Sequence, residues 1–200
     1  MHLLRPVLLT LLLALAPTIG QDASLVAAWD AAQVTGGVIS DHSGHGHDLT
    51  LVSATSAQFM GRSFLRFGRD GYAEGPPLGD GWPALTVLVV VLQERDEGAH
   101  GGIICRDQYG GSAGDVFAIL TDPQGNWVGR VCTTGGQASL AAPLRSGWHQ
   151  LALTYDGATA RLYVNAQCVQ EQPLTGALVS EPGTPLVLGA YSNRKGPYSG

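Results

Sequence analysis

The stretch WHQLALTYDGATARLYVNAQCV, residues 148–169, decides the fold. Trp148, Gln150, Ala152 and Thr154 alternate with His149, Leu151, Leu153 and Tyr155. A period of two is that of a strand with one buried face. Asp156-Gly157 then predicts a turn, because glycine takes positive φ without steric cost. Residues 160–165 alternate again, Leu162 and Val164 to one side, Arg161, Tyr163 and Asn165 to the other. Asn165-Ala166 predicts a second tight turn, with residues 167–170 returning as a strand.

The composition extends this pattern to the whole chain. Glycine numbers 28 and proline 11 in 200 residues, and charged residues make up only 14%. Short apolar runs punctuated in this way predict an all-β sandwich. The length suits one domain plus a processed segment. The net charge is −5 with no basic run, which argues against a nucleic-acid partner.

Residues 1–20 read as a secretory signal peptide. Arg5 supplies the positive start, VLLTLLLALA (residues 7–16) the apolar core, and Thr18 and Gly20 the small residues before a cut ahead of Gln21. That run is shorter than the about 20 residues a spanning helix needs. The mature chain, residues 21–200, is therefore expected to be secreted, periplasmic or at the cell surface, with no membrane span. Such a compartment permits disulfides. The three cysteines, Cys105, Cys132 and Cys168, all sit in apolar strand patterns. They read as buried small hydrophobes, with a Cys105–Cys132 disulfide as the alternative.

Taken in order, residues 24–29 (SLVAAW) predict a first strand and residues 31–39 a connector. Residues 49–52, 59–67 and 71–73 predict further strands, and the Pro/Gly-rich stretch 75–83 a loop. Residues 85–93 (LTVLVVVLQ) are continuously apolar, which predicts a central strand covered on both faces. Residues 103–106, 115–121, 126–133 and 185–191 complete the set. Asp122-Pro123-Gln124-Gly125 has the chemistry of a hairpin turn.

Residues 148–166 resemble the W-H-x-Φ-A-Φ-T-Y-D-G…L-Y-V-[DN]-G pattern of the laminin G-like jelly roll, also called the concanavalin A-like lectin/glucanase fold. Ala166 stands where that pattern has glycine, which predicts another turn type or mild strain. The stretch DHSGHGHDLTLV, residues 41–52, is similar to the family's D-x-S-G-N-G turn and strand, with His45 at the asparagine position. The resemblance implies an antiparallel two-sheet β-sandwich of the jelly-roll type. In that family the last strand reads F-x-G-x-I-D-E-V-x-Φ-[WY], and residues 197–200 match only its beginning. The expectation is a segment lacking its last strand, from a longer secreted protein.

Several groups are candidates for chemistry. Gly114-Asp115-Val116-Phe117-Ala118-Ile119-Leu120 resembles a laminin G strand whose leading aspartate binds Ca²⁺. The resemblance thus implies Asp115 as a metal ligand, aided by backbone carbonyls. Asp41 and Asp48 offer a second oxygen-rich loop for Ca²⁺, and His42, His45 and His47 a transition-metal alternative. The plainer reading of that loop is an Asx-type turn in which Asp41 caps backbone N–H groups. Tyr109, Trp82 and Tyr191 lie in or beside loops, with Asn193 and Arg194 close to Tyr191. Tyr109, Tyr191, Asn193 and Arg194 are therefore candidate glycan-binding residues, since sugars are held by aromatic faces with polar rims. Trp29, Trp127 and Trp148 read as core.

Hydrolysis of glycosides needs two carboxylates flanking the bond. The cluster Glu94-Arg95-Asp96-Glu97 sits in a turn with the wrong spacing, so no catalytic residue is assigned. The expected function is a non-catalytic extracellular recognition module binding carbohydrate or another extracellular partner. The alternatives are an accessory module of a secreted glycoside hydrolase or sialidase whose catalytic domain lies beyond residue 200, and an adhesion spacer without a small ligand.

Overall fold

A computed structural model of the protein describes residues 24–59, 61–94, 101–107 and 115–198. The expected leader (residues 1–20), Tyr109 and most of the expected acidic turn lie outside the described residues. A 3₁₀ turn, Ala31–Gln33, precedes β1 (Val34–Thr35), β2 (Val38–Ile39), β3 (Leu49–Phe59), β4 (Arg62–Gly75) and β5 (Leu85–Gln93). Then follow β6 (Gly101–Arg106), β7 (Phe117–Thr121), β8 (Asn126–Thr133), β9 (Gly136–Pro143), β10 (Gly147–Tyr155), β11 (Thr159–Val164), β12 (Gln167–Pro173) and β13 (Leu186–Leu188). Two antiparallel sheets result, ordered β1-β2-β3-β4-β13-β6-β7-β8-β9 and β12-β11-β10-β5. The fold is the expected all-β jelly-roll sandwich.

The 148–169 stretch builds the smaller sheet as its sequence dictates. Leu151, Leu153 and Tyr155 of β10 and Ala160 and Leu162 of β11 are fully buried, while their alternate neighbours are not. Leu153 stands opposite Leu162, and both reach across to β8. A Cβ added at Gly129 would lie 2.9 Å from Leu153 Cδ1, so glycine there lets the sheets close. Trp127, also of β8, is fully buried and packs against the His149 ring at 5.6 Å. Along one side β9 meets β12, where Ala141 N–H donates to Gln170 Oε1 at 2.5 Å. On the other side β3 and β4 form a long hairpin, whose Phe64 meets Trp148 edge-on at 5.9 Å.

Several sequence expectations need correction. Residues 24–29 form no strand. Val26, Ala27 and Trp29 pack on the core, but their backbone is held by loop side chains instead of a ladder, Ala28 N–H donating to Asp41 Oδ1 at 2.9 Å. Residues 62–67 and 71–73 merge into the single strand β4, and β9 was not foreseen. Among the described residues β5 pairs only with β10 and is an edge, not a central strand. Its Leu88 and Val90 are 59% and 53% exposed. The anticipated strand over residues 185–191 shortens to β13.

The Asn165-Ala166 turn has φ of 52° and 65°, so the chain keeps the tight turn with an alanine in the left-handed region. The strain alternative is the one realised. That conformation costs an L-residue about 1 kcal/mol.

Candidate functional site

The outward face of the larger sheet carries the candidate site. Alternation along β6, β7 and β8 turns Cys105, Ala118, Leu120 and Val128 away from the smaller sheet, where they bury together with Tyr191. These strands are thus covered on both faces. At the rim of this cluster, Asp107 follows β6, Asp115 precedes β7, and Arg130 lies on β8 opposite Ala118.

Arg130 Nη1 donates to Asp107 Oδ2 at 2.7 Å, with the Asp107 side chain fully buried and Arg130 20% exposed. Asp107 N–H donates to Ser192 Oγ at 3.1 Å, and Ser192 N–H donates back to Asp107 O at 2.9 Å. The Ser192 hydroxyl itself donates within reach of Cys105 O, 3.0 Å away. This lacing holds the Tyr191 segment over the sheet.

Two polar atoms of the site lack a donor or acceptor. Asp107 Oδ1 and Arg130 Nε are both buried without a hydrogen-bond partner. Burial pushes the Asp107 carboxyl up to about 7, helped by a hydrogen bond to Asp115 and by its charge, against the pull of Arg130. Two carboxylates side by side avoid repulsion when one is protonated, and the raised Asp107 carboxyl favours that form. The same burial pushes the Cys132 thiol up to about 12 and raises the Cys105 thiol.

The sequence candidates distribute unevenly. Asp115 and Tyr191 meet in this one region, but Tyr191 is buried at 2% exposure and offers no open ring face. Arg194 turns away to Glu74, with Nε donating to Oε2 at 2.9 Å. Asn193 Oδ1 accepts from Lys195 N–H at 3.3 Å within its own turn. Trp82 is part of a different cluster, its ring 5.9 Å from the guanidinium carbon of the fully buried Arg106. Arg106 ties together Gly79 O, Asp80 Oδ1, Glu181 O and Thr184 O.

Asp41 and Asp48 lie elsewhere, in the loop before β3. Asp41 Oδ1 accepts from Ala28 N–H and Ser43 N–H, both at 2.9 Å. Its Oδ2 accepts from the Ser43 hydroxyl at 2.7 Å and His47 N–H at 3.0 Å. Asp48 Oδ1 accepts from Asp41 N–H at 2.8 Å. Burial alone would raise Asp41, but these donors outweigh it and hold its carboxyl well below the usual range. His45 Nδ1 lies 3.1 Å from Ser43 Oγ and His47 Nδ1 2.9 Å from Val26 O. The loop has the chemistry of a cap that fastens residues 26–28. Among the described residues no group of three or more His, Cys, Asp or Glu side chains converges for a metal.

A second surface lies on the outer face of the smaller sheet. It is a shallow open depression of about 290 Å³ lined by Gln150, Ala152, Thr154, Tyr163 and Ala166. Cys105 and Cys132 are buried and unbridged, in keeping with the buried reading and not with the alternative Cys105–Cys132 disulfide. Cys168 is exposed, a departure from the buried reading. The sequence reading missed Asp107 and Arg130. The available signals were a charged pair, Arg106-Asp107, ending an apolar strand, and a lone arginine on the Cys132 face of residues 126–133.

The two sheets, outward-facing cluster and laced loops together make a jelly-roll sandwich. The chain belongs to the Concanavalin A-like lectin/glucanases superfamily, whose Laminin_G_3 model matches residues 86–200. Among solved structures, the chain is similar to an HCR/D mutant, with a TM-score of 0.61 and 12% identity over 90% of this chain and 45% of that one. The chain thus spans less than half the length of that structure. It is also similar to domain 4 of AbnA, a GH43 extracellular arabinanase from Geobacillus stearothermophilus, in complex with arabinotriose. There the TM-score is 0.53 and identity 14%, over 76% of this chain and 78% of that domain. A third likeness is to the enzymatically active domain of bacteriophage CBA120 tailspike protein 2, with a TM-score of 0.50 and 13% identity over 72% of this chain and 25% of that one. At such identities these likenesses establish the fold. No curated protein matches the chain. No helix among the described residues is long and apolar enough to cross a membrane.

Proposed function

We infer that the chain is a non-catalytic carbohydrate-binding module of a secreted protein, and that the ligand engages the Asp107–Arg130 rim. The observation that supports this reading is that the acceptor Asp107 Oδ1 and the donor Arg130 Nε, on two residues joined by an ion pair, are each buried without a hydrogen-bond partner. A sugar hydroxyl donates and accepts at once, so it matches both. Leaving such groups unpaired costs about 1–3 kcal/mol each, which a ligand supplying the partners recovers. The likeness to an arabinanase domain seen with arabinotriose adds a substrate class. Secretion rests on the leader in residues 1–20.

Ca²⁺ at Asp115 is a second reading. Its support is the Asp107–Asp115 carboxyl pair, which would give a hard cation two of its six to eight oxygen ligands, with carbonyls and water completing the set. A cation there would replace the proton that the pair otherwise shares.

Calorimetric titration with a panel of soluble oligosaccharides that includes arabinotriose tests the function. Binding that weakens at least about tenfold in Arg130→Ala, with Tyr163→Ala unchanged, is the expected result. No binding across the panel would contradict it. Loss with Tyr163→Ala alone would move the site to the depression on the smaller sheet.

A further inference from the structure

We propose that His45 and His47 form a binding site for a divalent transition-metal cation. The inference stands apart from carbohydrate binding, because this loop precedes β3, whereas Asp107 and Arg130 sit on β6 and β8.

The first observation is that the surroundings fix which nitrogen of each ring carries the proton. Val26 O is a carbonyl and can only accept, so His47 Nδ1, 2.9 Å away, donates to it. The Ser43 hydroxyl has one proton, which goes to the carboxylate of Asp41, its Oδ2 lying at 2.7 Å. Ser43 Oγ therefore accepts from His45 Nδ1, 3.1 Å away. Both neutral rings are then Nδ1–H tautomers, and each keeps its lone pair on Nε2. Among the described residues neither Nε2 has a hydrogen-bond partner. One nitrogen pinned by a fixed acceptor while the other stays bare is how ligating histidines are oriented.

The second observation is the spacing. The two rings stack with centroids 6.1 Å apart and planes inclined by 30°. Metal–nitrogen bonds are about 2.0–2.1 Å, and each ring centre lies about 1.1 Å further on. Two imidazoles on one ion thus have centroids about 5–6.4 Å apart, from a tetrahedral to a linear angle. His45 is exposed, so a modest turn about its Cβ–Cγ bond aims Nε2 at an ion shared with His47. Gly46 between them has φ of 76°, and a Cβ there would meet nothing within 4 Å, so an ion has room to approach.

The third observation concerns the neighbouring carboxylates. Both oxygens of Asp41 accept from donors of the loop and of Ala28, and Asp48 Oδ1 accepts from Asp41 N–H. What the loop offers is imidazole nitrogen, which suits Zn²⁺ and Cu²⁺ and not the oxygen-seeking Ca²⁺. Water fills the remaining coordination positions. A metal on Nε2 also makes Nδ1–H a stronger donor to Val26 O. Because Trp29 Nε1 donates to His47 O at 2.7 Å, the ion tightens the hold on residues 26–29.

The test titrates the untagged protein with Zn²⁺ and with Cu²⁺ by calorimetry, alongside His45→Gln and His42→Gln. His45 is the residue to replace, because it is exposed and its ring does not reach the 26–29 segment. The expected result is uptake that favours Cu²⁺ over Zn²⁺, weakens at least about tenfold in His45→Gln and is unchanged in His42→Gln. Excess Ca²⁺ should not displace the ion. Nitrogen NMR gives the second readout, with Zn²⁺ shifting Nε2 of His45 and His47 while their Nδ1 atoms stay protonated. No uptake of either ion would overturn the proposal, as would uptake indifferent to His45→Gln or lost equally in His42→Gln. Displacement by Ca²⁺, or a Zn²⁺ shift at Nδ1 in place of Nε2, would contradict it as well.

Discussion

Among the described residues, Asp41 and Asp107 bury their carboxyl groups, and their surroundings give them opposite characters. Asp41 is ringed by donors from Ala28, Ser43 and His47 and stays ionised far into acid. Asp107 has one strong donor, Arg130, a second carboxyl beside it, and an oxygen without a partner. Burial penalises charge equally in kind at both places. The count of donors decides the sign of the shift. A saturated carboxylate fastens a loop, while an undersatisfied one keeps interaction energy available for a ligand.

Replacement at each aspartate is the strongest way to break this contrast. Asp41→Ala strands several N–H donors at once and should cost about 3 kcal/mol, read as the shift in urea midpoint. Asp107→Asn should cost less, under about 1 kcal/mol at neutral pH, because it removes a charge the fold holds at a penalty. Equal losses at the two sites would remove the distinction.

The pH dependence sharpens the contrast next. A carboxyl raised on folding stabilises the protonated form, so its contribution is present below the unfolded value and lost as pH rises towards about 7. Asp41 is shifted the other way. Its contribution is present above the unfolded value and is lost as pH falls. Chemical unfolding should therefore show a decline between about pH 4 and 7 that Asp107→Asn abolishes, and an acid decline that it leaves in place. The smallest expected effect is that of Ca²⁺. If the ion replaces the shared proton, the melting temperature should rise by a few degrees relative to EDTA at pH 7, and by less in Asp115→Asn. No difference from EDTA would remove the calcium reading.

The sequence made much of the sandwich legible, and did so where side chains alternate. Residues 126–133 and the unit from Trp148 onward appear as β8, β10, β11 and β12, with the expected faces in β10 and β11. Alternation reports which face is buried, but not which strand lies alongside. That is why the continuously apolar β5 reads as central and is an edge. β9, GQASLAAP, escaped because its inward residues are Ala138, Leu140 and Ala142, too small to announce a strand. At the site, Asp115 was legible through its family pattern. Its partners Asp107 and Arg130 sit at separations of 8 and 15 residues, and only the register of β6, β7 and β8 brings them together. Ala166 shows the converse, a local departure visible in sequence whose strained φ the structure retains.

The most direct measurement is an NMR titration of the Asp107 carboxyl carbon, in the free protein and with a bound oligosaccharide. The account predicts a midpoint of about 7 when free. It also predicts a lower midpoint when bound, because a hydroxyl donating to Oδ1 favours the ionised form. A midpoint in the ordinary carboxylate range, or one that saturating ligand leaves unmoved, would contradict it.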